Sequence, residues 1–124
     1  MLLNDFFTII DRRSEGDSFK VSLEVNAAHP IFEGHFPRHP VVPGACLMQM
    51  VKEITETILV RELRLQKADH LKFIILIDPK ADNVLEMAIT IQVIEREQVN
   101  VLASLLNNGT VCFKFSGVFR GLAV

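Results

Sequence analysis

The stretch from His29 to Met50, HPIFEGHFPRHPVVPGACLMQM, limits the possible folds more than any other part of this chain. It holds three of the four histidines (His29, His35, His39), four of the five prolines (Pro30, Pro37, Pro40, Pro43) and two of the six glycines (Gly34, Gly44). Each proline removes a backbone donor and fixes φ, so the segment up to Pro43 cannot run through a helix interior or a central strand. It reads as a shaped loop over residues 27–43 that delivers the chain into an apolar helix starting near Pro43–Gly44, where proline is tolerated in the first turn. The start of such a helix points free N–H groups and partial positive charge at whatever lies there. That position suits an oxygen gaining negative charge, such as a carbonyl becoming an enolate. A histidine just upstream adds a group able to move protons near neutral pH.

The helix carries Leu47, Val51, Ile54 and Ile58 as one stripe, widened by Met48, Met50 and Leu59. Before Lys52 it is apolar nearly all round, with Gln49 the exception. From Lys52 on it is mixed. The first half is therefore expected to be buried and the second half partly wet, with Glu53 a partly solvated residue beside Lys52.

Around the helix, strand patterns dominate. Residues 6–11 fit a strand or a short helix, and a turn cluster follows at Ser14–Asp17. Residues 18–26 alternate cleanly, with Phe19, Val21, Leu23 and Val25 on one face. The unbroken apolar run at 73–77, closed by Asp78-Pro79, predicts a central strand. Residues 84–95, 98–106 and 110–119 alternate again, the last with Val111, Phe113, Phe115 and Phe119 on one face. Asn107-Asn108-Gly109 marks a hairpin turn. The sum is an α+β chain of about six antiparallel strands, with one long helix after the second. One helix is a small cover for so much sheet, so the sheet must curve around it.

At 124 residues and 49% hydrophobic content, the chain is expected to form one domain, residues 1–124, with a sizeable core. A net charge of −2, no Trp or Tyr and no basic run argue against nucleic acid and anionic membranes as partners. No apolar run approaches the ~20 residues that span a bilayer, and no signal-peptide pattern opens the chain, so a cytoplasmic protein is expected. Cys46 and Cys112 fit buried free thiols. The histidines lack a cysteine or acid placed to complete a zinc tetrahedron, and no phosphate loop or GxSxG elbow occurs. No metal or cofactor is expected.

Gly34-His35-Phe36-Pro37, then Pro40-Val41, then Pro43-Gly44 resemble the ungapped signature GHFPxxPVxPGxLxxE, with Cys46 at its leucine position. This is the signature of hot-dog fold 3-hydroxyacyl-acyl-carrier-protein dehydratases, and the strand–helix order extends the likeness over nearly the whole chain. The resemblance implies that His35 removes a proton from C2 of an acyl thioester. It implies that the amide of Gly44, with that of Phe36 as a second candidate, binds the thioester oxygen. The family's helix carboxylate handles the departing 3-hydroxyl from the other subunit of a dimer, so each site is composite. In this register the carboxylate position holds Gln49.

Gln49 can donate and accept hydrogen bonds, but it cannot release a proton to a leaving hydroxide. General acid catalysis commonly contributes ~10²–10⁴-fold, so a homodimer with Gln49 in both sites is expected to dehydrate poorly unless another group supplies the acid. Glu53 lies one turn further on, where the family usually has Gln, so the pair looks exchanged. A carboxyl displaced by ~6 Å along the axis would miss a site shaped for position 49 unless a water bridged the gap.

Three functional readings follow. One is a dehydratase of fatty acid or related polyketide and lipid synthesis, acting on acyl-carrier-protein or CoA thioesters as a homodimer. Another is a non-catalytic or heterodimeric subunit, completed by a homologue that bears the Glu or Asp. The last is a hot-dog thioesterase using Gln49 and Glu53 to activate water. Arg38 and His39 fit either a phosphopantetheine or carrier contact or a merely solvated pair. A structural role is expected for His29 before Pro30, and a surface-loop position for His70.

Overall fold

Alternating strand faces require an apolar cover, and the cover in this chain is one helix. The structure, a computed structural model, describes residues 1–36, 38–95 and 97–121. The elements run β1 (Phe7–Glu15), β2 (Ser18–Val25), α1 (Ile31–Gly34), α2 (Gly44–Leu59), β3 (Leu63–Phe73), β4 (Val84–Val93), β5 (Gln98–Asn107) and β6 (Thr110–Gly121). They build one six-stranded sheet in the order β1-β2-β4-β5-β6-β3, antiparallel throughout. This is the hot-dog arrangement, with α2 packed on the apolar face of the sheet.

The core follows the alternation. Val21, Leu23 and Val25 of β2, Leu85, Met87 and Ile89 of β4, and Val99, Val101 and Leu105 of β5 are buried together with Phe113, Phe115 and Phe119 of β6. They meet Leu47, Met50, Val51 and Ile54 of α2. Two of the hairpin turns, β1–β2 and β5–β6, use left-handed backbone where the sequence allows it. Gly16 has φ +63°, and Asn108 and Gly109 have φ 51° and 77°, the pairing of two positive φ values that lets a two-residue turn match strand twist.

Several expectations change. Residues 6–11 resolve as strand from Phe7 onward. The loop 27–43 contains a one-turn helix, α1, between Pro30 and His35. Pro30 stands at its N-cap, a place where the missing proline N–H removes no helical bond. Pro37 of the motif lies outside the described residues. The run 73–77 is not a central strand. Phe73 ends the edge strand β3, and the chain then leaves the sheet, with the Ile74 and Ile75 amides both donating to the Cys112 carbonyl (2.8 and 3.2 Å). Only Ile77 of this run is buried, and Leu76 is 77% exposed. The actual third strand, Leu63–Phe73, is largely polar and breaks register with β6 twice, between Leu65 and Lys67 and between Ala68 and His70. Those breaks reset the period-two pattern that would have revealed it. His70 is accordingly an exposed strand residue and not a loop residue.

α2 ends on an unusual cap. Val60 adopts the left-handed conformation (φ 54°, ψ 50°), donates its N–H to the Glu56 carbonyl and leaves its side chain 86% exposed. A β-branched residue is strained there, and glycine is the residue suited to it. Val60→Gly is expected to stabilise the fold by roughly 1 kcal/mol, the strain relieved exceeding the added chain entropy. A thermal melt would show this as a rise of several degrees in Tm.

Candidate active site

The loop that carries the motif is held at both ends. At its entry, His29 accepts the Ile31 N–H on Nδ1 (3.1 Å), meets the Asp5 carboxylate through Nε2 (3.1 Å) and packs edge-on against Phe6. This is the structural role expected of it. Phe32 of α1 is buried against Phe6. At its exit, the Val42 N–H donates to the Ile77 carbonyl (3.0 Å).

His35 follows α1 directly and is half-buried. Its carbonyl accepts the Val41 N–H (3.1 Å), and its Nδ1 lies 3.4 Å from the Val41 carbonyl. A hydrogen on Nδ1 directed at that carbonyl leaves Nε2 with a free lone pair, the tautomer a base requires. The exposed Phe36 ring stacks on the imidazole at 4.5 Å, and the peptide bond between the two residues is cis. Arg38 and His39 are exposed on the same loop.

Pro43 is the N-cap of α2 with extended backbone (φ −63°, ψ 143°), and its carbonyl receives the Cys46 and Leu47 amides. The Gly44 amide precedes those and is one of the orphan donors of the first turn. The Phe73 ring lies across this point, so close that a Cβ on residue 44 would come within 2.8 Å of it. Glycine at 44 therefore permits the close approach of the ring. Cys46 and Cys112 are buried free thiols, and burial pushes both pKa values up, away from thiolate chemistry.

Gln49 and Glu53 come together on α2, one turn apart, and line an open cleft of about 580 Å³ shared with Met1, Lys52, Glu56 and Leu63. Glu53 overturns the expectation of a solvated residue: its exposure is 0%. The Leu2 N–H donates to both of its oxygens (3.0 and 2.9 Å), the Leu3 N–H to Oε1 (2.8 Å), and the Gln49 Nε2 to Oε2 (2.9 Å). Burial is tolerable because the carboxylate is surrounded by N–H donors. Lys52 turns instead to Glu56, at 3.6 Å. Leu2 and Leu3 carry no side-chain signal for this contact, so sequence reasoning missed them. The only hint was an acid placed four residues after Gln49, one helical turn further on.

Within one chain, no hydrogen bond or ring contact joins His35 or Phe36 to Gln49 or Glu53 among the described residues. The loop and the start of α2 form one group of candidate residues, and Gln49 with Glu53 forms another. Among the described residues no cluster of three His, Cys, Asp or Glu side chains has metal-ligand geometry, and no helix is long and apolar enough to cross a membrane.

A curved antiparallel sheet closed by one helix, with a histidine on the proline-fixed loop feeding that helix, defines a hot-dog protein of the dehydratase kind. A family model described as ApeI dehydratase matches residues 11–107, and the chain belongs to this ApeI-like family. The chain is similar to the 3-hydroxyacyl-[acyl-carrier-protein] dehydratase FabZ of Thermus thermophilus, with 38% identity over 58 residues, covering 45% of this chain and 41% of that one. It is 31% identical over 83 residues to the FabZ of Wolbachia pipientis wMel, covering 59% and 58%. The chain thus spans less than two thirds of the length of these curated relatives. Among solved structures, the dehydratase heterocomplex ApeI:P from Xenorhabdus doucetiae superposes with a TM-score of 0.71 at 18% identity, over 90% of this chain and 96% of that one. A hypothetical thioesterase with coenzyme A from Streptococcus pneumoniae TIGR4 superposes with a TM-score of 0.66 at 12% identity, over 94% and 86%. These likenesses are of fold.

Replacing Glu53 by Ala would leave the Leu2 and Leu3 amides without their acceptor and open a polar void beside α2. A loss of ~2–3 kcal/mol is expected, read in a urea titration as a lower midpoint with little change in slope.

Proposed function

We propose that this protein is a 3-hydroxyacyl thioester dehydratase subunit that retains the base of the reaction and lacks its acid. His35 Nε2 takes the C2 proton of a 3-hydroxyacyl thioester carried on an acyl carrier protein or CoA. The Gly44 amide, with that of Phe36, receives the charge that develops on the thioester oxygen. The 3-hydroxyl is then met by Gln49 of a second chain. The motif loop carries this reading, with His35 beside Val41 and the Gly44 amide at the start of α2, and the lack of a hydrogen bond between His35 and Gln49 or Glu53 among the described residues of one chain is in keeping with a site shared by two chains.

The assembly surface is consistent with it. β3 is an edge strand, and Leu71, Phe73, Ile74, Ile75 and Leu76 stand exposed on it or just beyond it. An exposed apolar stretch at the end of an edge strand is normally covered, here by a second copy or a homologue. The acid is what separates a slow homodimer from an active heterodimer. Glu53 is engaged by the Leu2 and Leu3 amides and by Gln49, so it is poorly placed to protonate a leaving hydroxyl or to activate water. That counts against the thioesterase reading. It favours, as a second reading, a heterodimer in which a Glu- or Asp-bearing partner completes the site that uses His35 of this chain. The solved neighbour described as a dehydratase heterocomplex offers a precedent for such pairing.

Gln49→Glu tests the proposal. The new carboxyl would lie against Glu53, and two carboxyls so close cannot both ionise, so one keeps a proton to give. Dehydration of a 3-hydroxybutyryl or longer thioester is expected to rise by ~10²-fold or more over wild type, and His35→Ala in the same background to abolish it. No turnover by Gln49→Glu, alone or mixed with wild type at high enzyme concentration, would overturn the assignment.

A further inference from the structure

We propose that this chain catalyses a reaction of its own on acyl thioesters: exchange of one C2 hydrogen with solvent, without elimination. A base and a donor for the thioester oxygen are kept, while no proton is offered to a departing 3-hydroxyl, so the opening step of a dehydration becomes a complete cycle. The inference rests on the thioester reading above and extends the substrates to acyl thioesters that carry no 3-hydroxyl.

The proton balance decides the outcome. His35 Nε2 takes the C2 hydrogen, the electron pair of the broken bond passes to the thioester oxygen, and the ring becomes an imidazolium. Its Nδ1 faces the Val41 carbonyl at 3.4 Å, so the added proton stays on Nε2, beside the carbon it came from. The Phe36 ring stacks on the imidazole at 4.5 Å, and an aromatic face attracts the cation that forms. Two exits are then open to the enolate. Loss of the 3-hydroxyl needs a proton from the α2 cleft of the second chain, and in a copy of this chain the groups there are already engaged. Gln49 has no proton to release. Glu53 is fully buried, with its oxygens accepting the Leu2, Leu3 and Gln49 N–H groups. Glu56 accepts the Leu63 N–H (2.8 Å) and faces Lys52 (3.6 Å). Glu62, the remaining acid of the cleft, follows the end of α2, and Leu59 is already about 15 Å along the axis from Gln49. Return of the proton to C2 needs only the imidazolium. His35 is half-buried, so water reaches it and its hydrogen is traded with solvent between turnovers. One base on one face both removes and returns the hydrogen, so a single C2 hydrogen is replaced and the configuration there is kept.

The test incubates the full chain in D2O with butyryl-pantetheine, a thioester without a 3-hydroxyl, so that no deuterium enters by dehydration and rehydration. Mass spectrometry of the recovered thioester reads the exchange at C2. Wild type is expected to introduce one deuterium per molecule ~10²-fold or more faster than His35→Asn, whose side-chain NH2 can still face the Val41 carbonyl but which has no basic nitrogen. With 3-hydroxybutyryl-pantetheine, wild type is expected to exchange C2 about tenfold or more faster than it forms the enoyl product, and Gln49→Glu to reverse that order. Exchange no faster than in His35→Asn overturns the proposal, as do two deuteriums entering at equal rates. If Gln49→Glu nevertheless dehydrates, the thioester reading stands and only the exchange activity is rejected; if it does not, both fall. Should His35→Asn fail to fold, the wild-type ratio of exchange to elimination decides: above one it supports the proposal, and below one it rejects it.

Discussion

One helix has to close the apolar face of six strands, and most of this structure answers that constraint. α2 buries the side that meets the sheet, while Ala45 in its first turn is exposed and Met48, Gln49 and Lys52 are half-buried. Leu47, Met50, Val51 and Ile54 meet the sheet, and the side of the helix away from those residues still falls under the N-terminal segment. A polar residue placed there has to find its partners inside the protein. Glu53 finds them in two backbone amides and a neighbouring side chain. The same enclosure leaves two parts of the helix in reach of solvent: its first turn, and the cleft that Gln49 lines.

The site's architecture follows from how the loop enters this helix. Prolines and small turns bring His35 beside Val41 and leave the Gly44 amide at the helix start. The two groups of residues are mechanically independent within a chain. One is built by loop backbone, the other by a buried carboxylate on the third turn. Such independence would allow one group to change without disturbing the other.

How much of this could be read in advance depended on where each signal lives. The motif loop, the helix start and the Asn108-Gly109 turn are encoded by residues that restrict their own backbone, so they were legible. Strands β2, β4, β5 and β6 were legible because a buried face imposes alternation. β3 was not, because two register breaks erase its period and every residue after Leu63 is exposed within the chain. The 73–77 run misled for the related reason that apolar residues imply burial but do not say by what. Glu53 was misplaced because a charge beside Lys52 reads as solvated, while its real partners are main-chain N–H groups that no side-chain pattern announces.

The bond between Glu53 and the Leu2–Leu3 segment also has a temporal side. Leu2 and Leu3 leave the ribosome some fifty residues ahead of the carboxylate that will receive them (sequence separations of 51 and 50). Until α2 has formed and this segment has returned to it, that carboxylate is a charge on a largely apolar coil with nothing to neutralise it. The bond can close only once the chain has been made as far as Glu53, so residues synthesised well before the helix find these partners only after it.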